Sequence, residues 1–243
     1  MHKNTWKNMA LVAGSLTLTT GFADAASTLV NLGNNAPTGN IIASEESRNS
    51  FTRAFDIEAN ANHARGMVFT TGDNATGGQF AIDSITVSKD TTQTFVGGEV
   101  TLFVYQGSVA DWTAGNGDTT ETAADIYDGT TVTPLFEETF ALNGSYGANS
   151  YLQFSLDSSL IVDENSEFGF FLIYSKGDAN DDDYLQLDER SSGGGQIRLT
   201  DTANEVNGTR GLTFYVQGTA VPEPSSAALL GLGGLALMLR RRK

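Results

Sequence analysis

Apolar residues in this chain alternate with polar ones in short runs, and no window of a dozen residues carries a 3.6-residue apolar period. Successive side chains of a strand point to opposite faces, so alternation lays one apolar face against a core. Val100, Leu102 and Val104 share a face in this way, as do Leu152, Phe154 and Leu156, and Leu212, Phe214 and Val216. Phe80 and Ile82 are in phase, but Ile85 and Val87 are one position out. A β-bulge near Asp83–Ser84 would bring both halves onto one face. Phe168–Tyr174 is apolar on both faces, the mark of a central strand covered on each side. Further strands are expected at Thr28–Leu32, Phe51–Ile57, Gly66–Thr71, Val132–Leu142 (one strand or two), Tyr184–Asp188 and Gln196–Leu199. Turn signals fall at Thr76-Gly77-Gly78, Asn143-Gly144, Gly193-Gly194-Gly195 and Asn207-Gly208. Asp118–Asp128 holds at most a helical turn or two. About ten strands with dense turns predict an all-β fold, an antiparallel β-sandwich of jelly-roll-like type.

The two ends have a different character. Residues 1–25 have the layout of a secretory signal peptide: His2, Lys3 and Lys7, then apolar Met9–Leu18, then small residues at Ala23 and Ala25. At the other end, residues 225–239 are uncharged and mostly apolar, and Arg240-Arg241-Arg242-Lys243 follows. As a helix, residues 226–239 would span roughly 21 Å, short of the ~30 Å hydrocarbon core. The basic cluster should stay cytoplasmic, which places the rest of the chain outside the inner membrane. Pro222 and Pro224 fix φ and lack an N–H, so they keep the residues ahead of the helix extended. The glycines at 231, 233 and 234 weaken that helix, as suits a temporary stop.

Between these ends, residues 26–219 make one exported domain. It carries 27 acidic against 8 basic side chains, a net charge of −19. Such a surface repels nucleic acid and favours solubility and divalent cations. The chain has no cysteine, so neither disulfides nor thiolate chemistry is available to it.

Val221-Pro222-Glu223-Pro224, the apolar stretch and the terminal basic cluster together resemble the PEP-CTERM sorting signal of Gram-negative bacteria, over residues 220–243. The resemblance implies processing by exosortase, an integral-membrane transpeptidase-like enzyme, with cleavage near residues 221–224. It also implies a link to extracellular polysaccharide or biofilm matrix. Pro222, Glu223 and Pro224 are carried over as the recognition motif of a substrate. Gly66–Gly72 (GMVFTTG), Phe80–Val87 (FAIDSITV) and Thr101–Tyr105 (TLFVY) are similar to the choice-of-anchor domains of bacterial surface proteins. That resemblance implies a β-sandwich placed before an interchangeable anchor, and no activity.

The usual catalytic groups are sparse. His63, expected in a polar loop at Asn60–Arg65, is the one histidine of the exported domain. No Gly-x-Ser-x-Gly elbow and no phosphate loop accompany it. Glu45-Glu46 and Glu137-Glu138 are adjacent pairs, and neighbours on a strand face opposite ways, so neither pair can readily flank one glycosidic bond. The densest oxygen cluster is Asp178-Ala179-Asn180-Asp181-Asp182-Asp183. Asp178, Asn180, Asp182 and Glu189 stand at positions 1, 3, 5 and 12 of an EF-hand loop. Asp183 occupies the place of that loop's glycine, and the flanks read as strands. A Ca²⁺-binding hairpin loop and a hydrated acidic loop both remain open. Trp112, Tyr127 and Tyr146 sit in polar contexts where an exposed ring could stack on a sugar face; packing aromatics is the alternative.

These features favour a non-enzymatic surface or matrix protein that signal peptidase and exosortase process and that binds exopolysaccharide. A secreted jelly-roll enzyme acting on polysaccharide and a Ca²⁺-stabilised structural biofilm component are the competing expectations.

Overall fold

The computed structural model describes residues 27–46, 51–55, 62–73, 78–107, 134–175, 184–191, 194–200 and 204–221. The signal peptide, Pro222–Lys243 and the Asp118–Asp128 stretch lie outside the described residues. Alternation becomes strand throughout. The chain begins with β1 (Thr28–Asn31), β2 (Ile41–Glu45), β3 (Phe51–Phe55), β4 (Asn62–Thr70) and β5 (Gln79–Ser88). It continues through β6 (Gln93–Gln106), β7 (Phe136–Tyr146), β8 (Tyr151–Asp163), β9 (Glu167–Ser175) and β10 (Leu185–Arg190). It ends with β11 (Gln196–Thr200), β12 (Asn204–Asn207), β13 (Gly211–Leu212) and β14 (Phe214–Val221).

Every pairing between these strands is antiparallel. One sheet has five strands in the order β1-β8-β5-β14-β2, and a second has six in the order β12-β11-β4-β9-β6-β7. A smaller sheet, β13-β10-β3, completes the fold. The alternating apolar faces meet in one core. Ile82, Ile85, Val87, Leu152, Phe154 and Val216 from the first sheet pack with Leu102, Val104, Phe170 and Leu172 from the second. Rings bridge the sheets: Phe140 stands edge-on to Phe154 at 5.1 Å, and Phe214 lies 5.6 Å from Phe170 and 6.1 Å from Phe69. The result is an antiparallel β-sandwich. β9 sits between β4 and β6, with Phe168, Phe170, Leu172 and Tyr174 in the main core. Its other face carries Phe171 and Ile173, which join Phe103, Tyr105, Ala64 and Ile197 in a second buried cluster. That is the double coverage its apolar run predicts.

The bulge expected in β5 is present. Ile82 pairs with Leu160 and Gly218, Ser84 pairs with Ser155 and Gln217, and Asp83 pairs with neither neighbour. Phe80, Ile82, Ile85 and Val87 consequently all reach the core. Gly218 matches this irregularity, because a Cβ there would lie 2.5 Å from the Ala81 carbonyl oxygen.

Other expectations need correction. Asn143-Gly144 does not turn the chain. β7 runs through it, and two residues of β6, Val96 and Gly97, stand opposite Asn143. Gly97 takes φ +77° and donates its N–H to Asn143 Oδ1 at 2.7 Å, so the turn-prone pair serves a bulge. Val132–Leu142 contributes one strand, shifted to Phe136–Tyr146. His63 lies within β4 and not in a polar loop. The last strand passes Thr219 and pairs Val221 with Gln79, so the sorting motif follows the sheet directly.

β1 and β2 occupy opposite edges of the five-stranded sheet, so residues 32–40 cross its outer face to join them. The crossing is tied at both ends. Leu32 N–H donates to Tyr151 carbonyl oxygen at 3.0 Å, and Gly218 N–H donates to Asn40 carbonyl oxygen at 2.9 Å. Pro37 is buried against the sheet. Beneath the crossing, Tyr151 and Tyr215 meet edge-to-face at 5.7 Å, both nearly covered.

Candidate functional site: an amide-lined groove

Beside the crossing segment the same sheet face forms a groove of about 450 Å³. That size falls within the roughly 300–1,000 Å³ usual for small-molecule sites. Thr38, Gly39 and Asn40 make one wall, and Asp83, Ser84, Gln153, Ser155 and Gln217 make the floor and the far side. An adjoining hollow of about 290 Å³, lined by Leu32, Asn35, Ala36 and Pro37, shares Thr38, Gln153 and Gln217 with it.

Strand geometry puts these groups together. Gln153 and Ser155 are the outward residues of β8 between the core residues Leu152, Phe154 and Leu156. Gln217 follows the core residue Val216 on β14, and Ser84 pairs with both Ser155 and Gln217. The bulge turns Asp83 to the same exposed face.

The polar groups brace one another. Gln153 Nε2 donates to Gln217 Oε1 at 2.7 Å and to Ser84 Oγ at 3.3 Å. Ser84 Oγ donates to Gln217 Oε1 at 3.1 Å. Gln217 Nε2 donates to the carbonyl oxygens of Thr38 and Gly39, both at 3.1 Å. Among the described residues, Asp83 is the one titratable residue lining the groove, and partial burial raises its carboxyl pKa above the usual aspartate value.

The residues expected from sequence are dispersed. Tyr146 ends β7 with its ring 8% exposed, packed edge-on to Phe95 at 5.7 Å. Its hydroxyl donates to the Asn143 carbonyl oxygen at 3.2 Å, and burial raises its pKa. It is a packing aromatic and offers no face to a sugar. Trp112 and Tyr127 lie outside the described residues. So do Asp178, Asn180 and Asp182 of the acidic loop, and Pro222, Glu223 and Pro224. Glu189 is not a loop ligand: it is a buried residue of β10, accepting from Gln196 Nε2 at 2.7 Å and paired with Arg210. Those cationic and amide partners already occupy the carboxylate. Among the described residues, no group of three or more His, Asp or Glu side chains could hold a metal ion. Glu45 pairs with the buried Arg190, while Glu137 faces solvent and Glu138 accepts from Ser27. Neither glutamate pair converges on a cleft.

No motif in the sequence singles out Gln153, Ser155 or Gln217. Their signal was available as the polar half of the alternation whose apolar half marked β8 and β14. What brings them under residues 38–40 is the edge-to-edge crossing, and strand order is not written in periodicity.

A sandwich of two antiparallel sheets with a polar groove on one outer face defines the class: an all-β antiparallel β-sandwich domain. Residues 220–243 match the PEP-CTERM protein-sorting motif. The C-terminal segment is thus a PEP-CTERM sorting signal, which supports export, a membrane-anchored C-terminus before exosortase processing, and a final place at the cell surface. No curated protein is significantly similar in sequence. Among solved structures it is similar to the cysteine protease and lectin-like domains of Cwp84, a surface-layer-associated protein of Clostridium difficile. That likeness has 9% identity and a TM-score of 0.41, and covers 71% of this chain and 37% of that one. Clostridial Cwp84 after propeptide cleavage is similar at 8% identity and TM-score 0.41, over 71% of this chain and 41% of that one. The chain therefore spans less than half the length of these structures.

Proposed function

We propose that this protein is a non-enzymatic component of the cell surface or extracellular matrix and that its sandwich binds exopolysaccharide. The groove carries this reading. Among the described residues it offers hydrogen-bonding groups around one carboxylate, whereas glycoside hydrolysis ordinarily needs two, roughly 5–9.5 Å apart. Such a site can hold a sugar and is poorly equipped to cut one. Similarity to choice-of-anchor domains supports the same role, a presented sandwich on a removable tether.

In this reading signal peptidase removes residues 1–25, and the apolar stretch 225–239 holds the chain in the inner membrane until exosortase acts. Val221 is paired with Gln79 inside the folded sheet, so a cut before it would have to strip a strand end. Cleavage is therefore expected after Val221. Mass spectrometry of protein recovered from outside the cell tests the route: the mature C-terminus should fall between Val221 and Pro224. An intact Arg242-Lys243 end would refute processing. Co-sedimentation of that protein with the cells' own matrix polysaccharide tests the binding, and its absence would refute the role.

A further inference from the structure

We propose that the groove beside residues 32–40 binds a neutral, hydroxyl-rich glycan chain, with Asp83 as its anchoring acceptor. The inference rests on the exopolysaccharide reading and specifies its site and ligand class.

Hydrogen-bond bookkeeping sets the polarity of the groove. Both amide hydrogens of Gln217 go to Thr38 and Gly39, and both of Gln153 go to Gln217 and Ser84. The Ser84 hydroxyl hydrogen goes to Gln217. Each of these groups has a fixed donor capacity, and the internal network consumes all of it. Among the described residues that line the groove, Gln153 Oε1, the Asp83 carboxylate, the Ser155 and Thr38 hydroxyls and the Asn40 amide take no part in this network. The floor therefore faces the ligand mainly with acceptors, and the wall adds the Thr38 hydroxyl and the Asn40 amide. The groove suits a ligand that brings O–H donors on adjacent carbons, which is what the ring hydroxyls of a neutral sugar supply.

The charge of Asp83 disfavours acidic sugars. A uronate carboxylate brings acceptors and no donor, and would sit beside the carboxylate of Asp83 with no cation lining the groove. The chain's net charge of −15 adds to this repulsion. At 0.15 M salt the screening length is about 8 Å, so the distant charge is largely damped and the Asp83 contribution remains. Asp83 belongs to a bulge, with no protein partner to lose, so Asp83→Asn should leave the fold intact.

Titration calorimetry of the full chain at 0.15 M salt tests this with linear dextrin, oligogalacturonate of equal length, and fractionated matrix polysaccharide from the same cells. Dextrin and neutral matrix fractions should bind, with oligogalacturonate at least ten-fold weaker. Asp83→Asn should weaken the neutral ligands about ten-fold and narrow the gap to oligogalacturonate; Ser155→Ala should weaken them several-fold. Equal binding of oligogalacturonate, or binding confined to anionic fractions, would overturn the inference. So would neutral binding that neither variant changes, although the exopolysaccharide reading would then survive. Absence of binding to every fraction would overturn both.

Discussion

Two single-residue deletions in β5, three positions apart, should have opposite consequences. Asp83 is an extra residue: Ile82 and Ser84 already face consecutive residues of β14, Gly218 and Gln217. Deleting Asp83 leaves Phe80, Ile82, Ile85 and Val87 in unbroken alternation, so every core side chain keeps its place. The lost side chain is exposed and has no hydrogen-bond partner among the described residues; exposed substitutions usually change stability by only about 0.5 kcal/mol, so this deletion should cost far less than the loss of a core residue. Deleting Thr86 instead makes Ile85 and Val87 neighbours, and neighbours on a strand cannot share a face. One of these two fully buried residues must then leave the core. Exposing it costs about 1.5–3 kcal/mol, and the void opposite Phe154 or Leu152 adds more, so a total near 3–5 kcal/mol is expected. Against a total stability of about 5–15 kcal/mol, that difference is easily read as separate midpoints in urea unfolding with similar slopes. Equal destabilisation by the two deletions would refute the assignment of Asp83 as the phase-correcting residue.

Tyr146→Ala should lower stability by about 3 kcal/mol through loss of packing on Phe95, while glycan affinity stays unchanged in the same titration. Lys89 is buried, with its ammonium bonded to the Thr91 carbonyl oxygen and 5.9 Å from the Phe95 ring centre. Burial lowers its pKa from 10.5 to about 8, and Asp90 opposes that shift only in part. The unfolded chain then binds the proton more tightly, so stability should rise as pH increases from about 8 toward 10.5. Lys89→Met should flatten this rise in urea midpoints taken between pH 7.5 and 9.5, and an unchanged slope would refute it. Because Glu189 is held by Arg210, any shift of the thermal midpoint on adding Ca²⁺ after EDTA should be the same in Glu189→Gln as in the parent, and a shift lost in the variant would refute this.

The sequence spoke most clearly where one physical requirement dominates. Burial of one strand face demands alternation, so β5, β6, β8 and β14 were legible, and the phase break at Asp83 could be read as a bulge. Phe168–Tyr174 declared a central strand because both its faces exclude water. Signals with two structural solutions were ambiguous: Asn143-Gly144 accommodates positive φ, which a hairpin turn and a Gly97 bulge both use. Polar residues were harder still. Tyr146 looks exposed beside Ser145 and Gly147, yet it lies at a β7 position facing Phe95. Glu189 fits an EF-hand spacing, yet that spacing presupposes a loop where the chain has made β10.

The groove depends on three features far apart in sequence. Residues 32–40 must cross because β1 and β2 sit at opposite edges; Asp83 faces outward because the bulge turns it; and Gly218 is required because β14 passes close to Ala81 beside that bulge. Gln217 joins all three. It borders the bulge, binds the crossing segment through Thr38 and Gly39, and takes the donors of Gln153 and Ser84. One network therefore fixes the wall of the groove and determines which hydrogen-bonding groups are left for a ligand. Wall and specificity cannot be varied independently at Gln217, whereas Asp83 and Ser155, which brace nothing, can change while the groove keeps its shape. In an acidic surface protein, those two positions are where the choice between neutral and charged polysaccharide can be set without cost to the sandwich.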